Sequence, residues 1–116
     1  IPFNGLCALL QQDTTKLLSH KEGRQLVKQL MQEVIAGANA QQLDEPINGP
    51  AFIERMMSLT DQMDRYKPSM LIDCQEGRPL ELEAIYKKPL QQAKEKGINM
   101  PHIAMLYSQL LLGEKN

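Results

Sequence analysis

Pro68-Ser-Met-Leu-Ile-Asp-Cys-Gln-Glu-Gly-Arg-Pro-Leu-Glu-Leu-Glu83 is the stretch around which the rest of the chain is ordered. Pro68 stops a preceding helix near Lys67, because the residue before a proline is pushed out of the helical region. Ser69 then suits the N-cap of a short helix, and Gly77 suits its left-handed end. Pro79 restarts the backbone. Apolar helical stripes lie on both sides, yet this segment carries a serine, an aspartate, an arginine and several glutamates. We read it as the lining of a polar cleft, held in place by the flanking helices.

Upstream, Pro50 fits the first turn of a helix whose stripe is Phe52, Ile53, Met56, Met57, Thr60 and Met63. Gln41 to Gly49 is polar, with Pro46 and an Asn48-Gly49 turn signal. Before it, Leu26, Val27, Leu30, Met31, Val34, Ile35 and Ala38 recur at three and four, which predicts a helix over about residues 20–40. Ser19-His-Lys-Glu22 has the spacing of a capping box at its start. Leu6, Leu9 and Leu10 predict a first helix, with the poor formers Asn4 and Gly5 at its beginning, and Gln11 to Thr15 read as a polar exit.

Downstream, Leu82, Ile85, Tyr86, Leu90 and Ala93 form a stripe that Pro89 must kink or divide. Gly97 closes it. Pro101 opens a last helix carrying Ile103, Leu106, Tyr107, Leu110 and Leu111, closed by Gly113. No stretch alternates over strand length. The expected fold is all-α, about six helices, in one domain over residues 1–116.

At 116 residues the chain suits one domain with a real core. A net charge of −1 gives no broad attraction for nucleic acid or an anionic membrane. Aromatic residues are 4% with no tryptophan, so a stacking surface is disfavoured and Leu, Ile, Ala and seven Met must fill the core. No apolar run approaches the roughly twenty residues that span a bilayer, and no signal peptide is visible. A cytoplasmic location is the expectation. Cys7 and Cys74 are expected as buried free thiols rather than a disulfide.

His20 and His102 sit in polar contexts without ligand-type neighbours at metal spacing, so both are expected as solvated surface residues and no metal site is assigned. Neither G-x-G-x-x-G nor a Walker-type sequence occurs, so no cofactor-binding residue is assigned. Lys87, Lys88, Lys94 and Lys96 read as a solvated face. Asp73, Glu81 and Glu83 read first as carboxylates that complement helix dipoles. Glu81 and Glu83 are two apart and diverge on a helix, so one can face a cleft while the other faces water. Ser69, at a helix start, can offer both hydroxyl and backbone N–H to an anion such as a carboxylate.

Ser69-Met70, Asp73, Gly77-Arg78 and Glu81-Leu82-Glu83, in that spacing, resemble the signature of the C-terminal domain of the ketopantoate reductase (2-dehydropantoate 2-reductase) family. Ala93-x-x-x-Gly97-Ile98-x-x-Pro101, Leu106-Tyr107 and the upstream Phe3-Asn4-Gly5-Leu6-Cys7-Ala8 extend the likeness over nearly the whole chain. The resemblance implies a multihelical fold like the C-terminal domain of 6-phosphogluconate dehydrogenase-type enzymes. It implies NADPH-dependent reduction of 2-dehydropantoate to pantoate, a step toward pantothenate. The partners it implies are the small keto acid and an N-terminal Rossmann domain that holds the NADPH.

By position, the resemblance makes Asn4 and Ser69 substrate-binding residues and Glu81 the catalytic carboxylate that supports the active site. Uncharged donors can orient a 2-keto acid, and a carboxylate can position a lysine ammonium. The chain departs from the family pattern at Pro68, Leu80 and Lys87, where serine, threonine and glycine are usual. It begins after the expected catalytic lysine and lacks the Rossmann half, so alone it is expected to be inactive. Two other readings stand beside this one. One is the helical domain of a related 2-keto or 3-hydroxy acid dehydrogenase. The other is a free-standing helical dimerisation module in which the polar segment merely caps helices. Exposed Met and Leu, left bare by the absent domain, would suit self-association as a homodimer.

Overall fold

A computed structural model describes residues 1–42 and 44–113. The helices run in the order α1 (Pro2–Leu10), α2 (Thr14–Leu18), α3 (Lys21–Asn39), α4 (Gly49–Asp61), α5 (Ser69–Gln75), a π turn (Glu83–Lys87), α6 (Lys88–Glu95) and α7 (Pro101–Gly113). Among the described residues there is no strand. The all-α expectation holds, with α2 and the π turn as additions.

The centre is α3, which touches α1, α2, α4, α6 and α7. Its buried face is Val27, Leu30, Met31 and Ile35, drawn from the predicted stripe. These pack with Leu6, Cys7, Met57, Met70, Leu71, Tyr86, Ile103 and Leu106 in one core. Burying each large apolar side chain stabilises the fold by about 1.5–3 kcal/mol relative to exposure. Helix α1 lies across α5, α7 and α3, which sets its first turn beside the start of α5.

Several local expectations are corrected. Ser19 does not build a capping box: its hydroxyl donates to the Lys16 carbonyl at 2.6 Å and closes α2. His20 takes the N-cap position of α3 without a side-chain bond. Helix α2 begins inside the segment read as a polar exit, at Thr14, and runs on to Leu18; it is capped by Asp13, which accepts from Lys16 N at 2.9 Å. Its five residues are too few to show periodicity. Asn48-Gly49 is not a turn: Asn48 caps α4 by accepting from Ala51 N, and Gly49 is the first helical residue. Leu43, in that polar connection, lies outside the described residues.

Helix α4 stops at Asp61, well before Pro68. Arg65 is left-handed with φ 52°, and its N–H donates to Thr15 Oγ1 at 2.7 Å. Thr14 N–H donates to the Tyr66 carbonyl at 2.9 Å. The chain is therefore tied to the start of α2 instead of continuing as helix. Ile53, Met57 and Thr60 are buried as expected, but Phe52 and Met63 are 43% and 46% exposed. Leu111 of the last stripe is likewise half exposed.

Pro89 neither simply kinks nor divides its helix. It has no N–H for the Ile85 carbonyl, and its ring crowds that carbonyl. The ladder widens just before it, where Lys88 N–H donates to the Glu83 carbonyl in a π turn. Gly77 and Gly97 do close their helices, at φ 72° and 77°. Arg78 N–H reaches the Asp73 carbonyl and Ile98 N–H reaches the Ala93 carbonyl, the six-to-one bonds of Schellman ends. Cys7 is buried, but Cys74 is exposed, because short α5 buries only Met70 and Leu71. His102 is at the surface but not free. Its ring meets Glu33, whose carboxylate also accepts from the backbone N–H groups of His102 and Ile103.

Candidate functional site

Ser69 is the first residue of α5, not its cap; buried Pro68 takes the cap position and has no side-chain hydrogen bond to give. A side chain from another helix fills the role. Asn4 Oδ1 accepts from Met70 N at 3.3 Å and from Ser69 Oγ at 3.4 Å. Met70 N–H can only donate, so the amide oxygen must face it. The Asn4 NH2 group is left without an acceptor among the described residues. Asn4 and Ser69 thus share one polar junction, where the starts of α1 and α5 meet.

The first turn of α1 is itself clamped. Ile1 O accepts from Gly5 N at 3.2 Å and from the phenol of Tyr86 at 2.6 Å. A Cβ on Gly5 would lie 2.0 Å from the Tyr86 oxygen, so only glycine admits the ring there. The poor helix former at position 5 is explained by this close approach. Burial pushes the Tyr86 phenol well above its ordinary value, so it stays a neutral donor.

Glu81 lies exposed between α5 and the π turn. Its carbonyl accepts from Ile85 N at 3.2 Å, starting the helical run. No hydrogen bond among the described residues links its carboxylate to the Asn4–Ser69 junction. Asp73 serves the end of α5: Arg78 Nε donates to it at 2.9 Å, and Arg78 also pairs with Glu76. Glu83, in the first turn of the π segment, is exposed.

Beside Asn4 opens a cavity of about 340 Å³. Phe3, Met31, Val34, Phe52, Met56 and Tyr66 contribute to its lining. Sequence reading missed this feature. It assigned Phe52 and Met56 to the core and did not single out Tyr66. An aromatic residue within the polar run Asp61–Lys67 was the available signal. Two larger depressions lie elsewhere. One of about 800 Å³ runs between α3 and α4 past Arg24 and Asp61, and one of about 700 Å³ lies by Cys74 and Arg78. Neither is lined by Asn4, Ser69 or Glu81. Among the described residues no group of three or more His, Cys, Asp or Glu is placed to hold a metal ion.

Fold and junction together define an all-α domain that presents an amide, a hydroxyl and an apolar cup at one place. The chain belongs to the ketopantoate reductase family: the family described as "Ketopantoate reductase PanE/ApbA C terminal" matches residues 1–114. A 2-dehydropantoate 2-reductase from Nostoc sp. is 46% identical over 110 residues, covering 95% of this chain and 34% of that protein. The crystal structure of 2-dehydropantoate 2-reductase from Geobacter metallireducens superposes with a TM-score of 0.93 at 50% identity, over 96% of this chain and 36% of that one. A dimeric ketopantoate reductase from Staphylococcus aureus superposes at 0.84 with 26% identity, over 95% of this chain and 38% of that one. The chain spans about a third of the length of these relatives.

Proposed function

We propose that this chain is the substrate-side domain of an NADPH-dependent 2-dehydropantoate 2-reductase. The observation that carries this reading is the Asn4–Ser69 junction. It joins two helix starts and leaves an amide NH2 free to donate to a ligand, beside the Ser69 hydroxyl, which here donates to Asn4 Oδ1 and must turn to reach a substrate oxygen. The carboxylate or keto oxygen of a 2-keto acid accepts from such donors without needing a buried counter-charge. Asn4 is fixed by Met70 and its own first turn by Tyr86, so the amide donor is held ready before substrate arrives.

The residues described do not suit the cofactor. They include no strand and no Gly-rich turn opening a helix, so no cradle for a dinucleotide pyrophosphate is present among them. We assign NADPH, and with it the hydride, to the part of the enzyme outside this chain, together with the lysine that donates the proton. Glu81 stands in this reading as the carboxylate that positions that lysine. Among the described residues no helix is long and apolar enough to cross a membrane, and we place the enzyme in the cytoplasm. A homodimer belongs to the same reading, by analogy with the Staphylococcus aureus relative.

The test is steady-state kinetics of the full-length reductase that carries this chain. Ser69→Ala should raise KM for 2-dehydropantoate about tenfold, the loss of one hydrogen bond of roughly 1–1.5 kcal/mol. The KM for NADPH should not move. Unchanged KM for the keto acid would remove Ser69 from the substrate site. Calorimetric titration of the chain alone with NADPH should give no heat of binding; a micromolar Kd would refute the assignment of the cofactor elsewhere.

A further inference from the structure

Building on the reading above, we propose that the cavity beside Asn4 is the pocket for the apolar branch of the keto acid, and that Phe52 and Met56 of α4 set its size limit. The cavity's lining combines one side-chain amide with largely apolar walls. The amide is that of Asn4, its oxygen committed to Met70 N and its NH2 unclaimed among the described residues. Tyr66 supplies the other polar side chain of the lining. The remaining lining side chains are apolar, and no charged residue is among them.

An acid carboxylate would be desolvated against such walls, so it lies against the Asn4 amide. The hydrocarbon part gains from each CH2 equivalent it buries. The volume of about 340 Å³ lies near the small end of ligand cavities. It suits a short, branched acid rather than a nucleotide or a peptide. In 2-dehydropantoate, C3 beside the keto carbon carries two methyl groups and a hydroxymethyl group, a short branched chain that a volume of this size admits.

The walls are also positioned rather than loose. Tyr66 is held by Thr14 N–H on its carbonyl, and Arg65 by Thr15 Oγ1. Phe52 is 43% exposed, and Met56 is partly buried where it packs against the core, so the melting temperature of each variant is measured beside its kinetics. Half-exposed Phe52, which lines this apolar cavity, is then explained by the ligand it faces rather than by a place in the core.

The experiment is kcat/KM of the full-length reductase for pyruvate, 2-oxobutanoate, 3-methyl-2-oxobutanoate and 2-dehydropantoate. Wild type should prefer the branched acids to pyruvate by at least about tenfold, the usual worth of one or two buried methyl groups. Met56→Phe, which fills the cup, should cut kcat/KM for the branched acids about tenfold and leave pyruvate within about threefold. Phe52→Ala, which enlarges it, should shift preference toward longer side chains. A uniform fall for all four acids in both variants, with unchanged melting temperature, would overturn the pocket assignment while leaving the reductase reading intact. No turnover of any 2-keto acid by wild type would overturn both.

Discussion

The phenol of Tyr86 donates to the carbonyl of Ile1 across 2.6 Å, joining positions 85 apart in sequence. The bond fastens the first turn of α1, where Asn4 sits, to the π turn. Tyr86→Phe keeps the packed ring and removes the donor. It should cost about 1–2 kcal/mol in urea unfolding, for a buried carbonyl left with a weaker partner. Gly5→Ala should cost more, about 3 kcal/mol, because the new Cβ meets the Tyr86 oxygen at 2.0 Å. The double variant should fall short of the sum, since both changes act on one contact.

Glu81 is exposed and its side chain is unbonded among the described residues, which separates stability from activity at this position. Glu81→Ala should leave the unfolding free energy within about 0.5 kcal/mol. In the full-length reductase it should lower kcat about a hundredfold if the carboxylate positions the proton donor. Equal loss of stability and turnover would make Glu81 a structural residue.

Arg24 and Asp61 form a two-pronged pair at 2.8 Å between α3 and the end of α4. Hydrogen bonding from Arg24, with its charge, holds the Asp61 carboxyl below its usual 3.8. A carboxyl depressed in the folded state stabilises above its unfolded value and loses that contribution as pH falls through the folded one. Both side chains are more than a third exposed, so the pair is worth less than about 1 kcal/mol. Asp61→Asn should therefore lower stability slightly at neutral pH, with the deficit fading on acidification below the usual carboxyl value. Urea titrations at both ends of that range measure it.

The two thiols should differ sharply in reactivity. Cys7 is fully buried, and burial, then the charge of Asp13, pushes its thiol up to about 12. Cys74 is exposed, with Gln11 Nε2 at 3.0 Å from its sulfur. Ellman's reagent should modify Cys74 in the native protein and reach Cys7 only after unfolding. Rapid labelling of both thiols in the native state would contradict the packing of α1.

Thr14 is fully buried, and its hydroxyl has no hydrogen-bond partner among the described residues. Thr14→Val keeps the shape and removes the orphan group. It should stabilise by about 1 kcal/mol, seen as a higher midpoint in urea at unchanged slope.

Helices with long stripes were legible in the sequence, because periodicity reports a buried face directly. The Leu26–Ala38 stripe became α3, and Gly77 and Gly97 closed helices in the left-handed backbone that glycine adopts most readily. Other features depend on partners distant in the chain. Ser19 had the spacing of a cap, but its hydroxyl is nearer to the end of α2. Pro68 displaced Ser69 from the cap, and Asn4 supplied the bond instead. The family likeness at Asn4 and Ser69 pointed to two residues that do touch. The cup beside them was not legible, since Phe52 and Met56 obey the same spacing as core residues. The stop of α4 at Asp61 was not legible either, since the chain beyond it is tied to Thr14 and Thr15, distant in sequence.

The π turn carries one residue more than an α-helical turn would. Removing Ala84 takes out that extra residue and should tighten the backbone of the turn that carries Tyr86. Tyr86 would then lose its seat under Ile1, and the amide of Asn4 would lose its aim, although neither residue had been altered. Ligand geometry in this domain is thus metered by chain length at a point outside the binding site, and a deletion there should be as damaging to recognition as the loss of Asn4 itself.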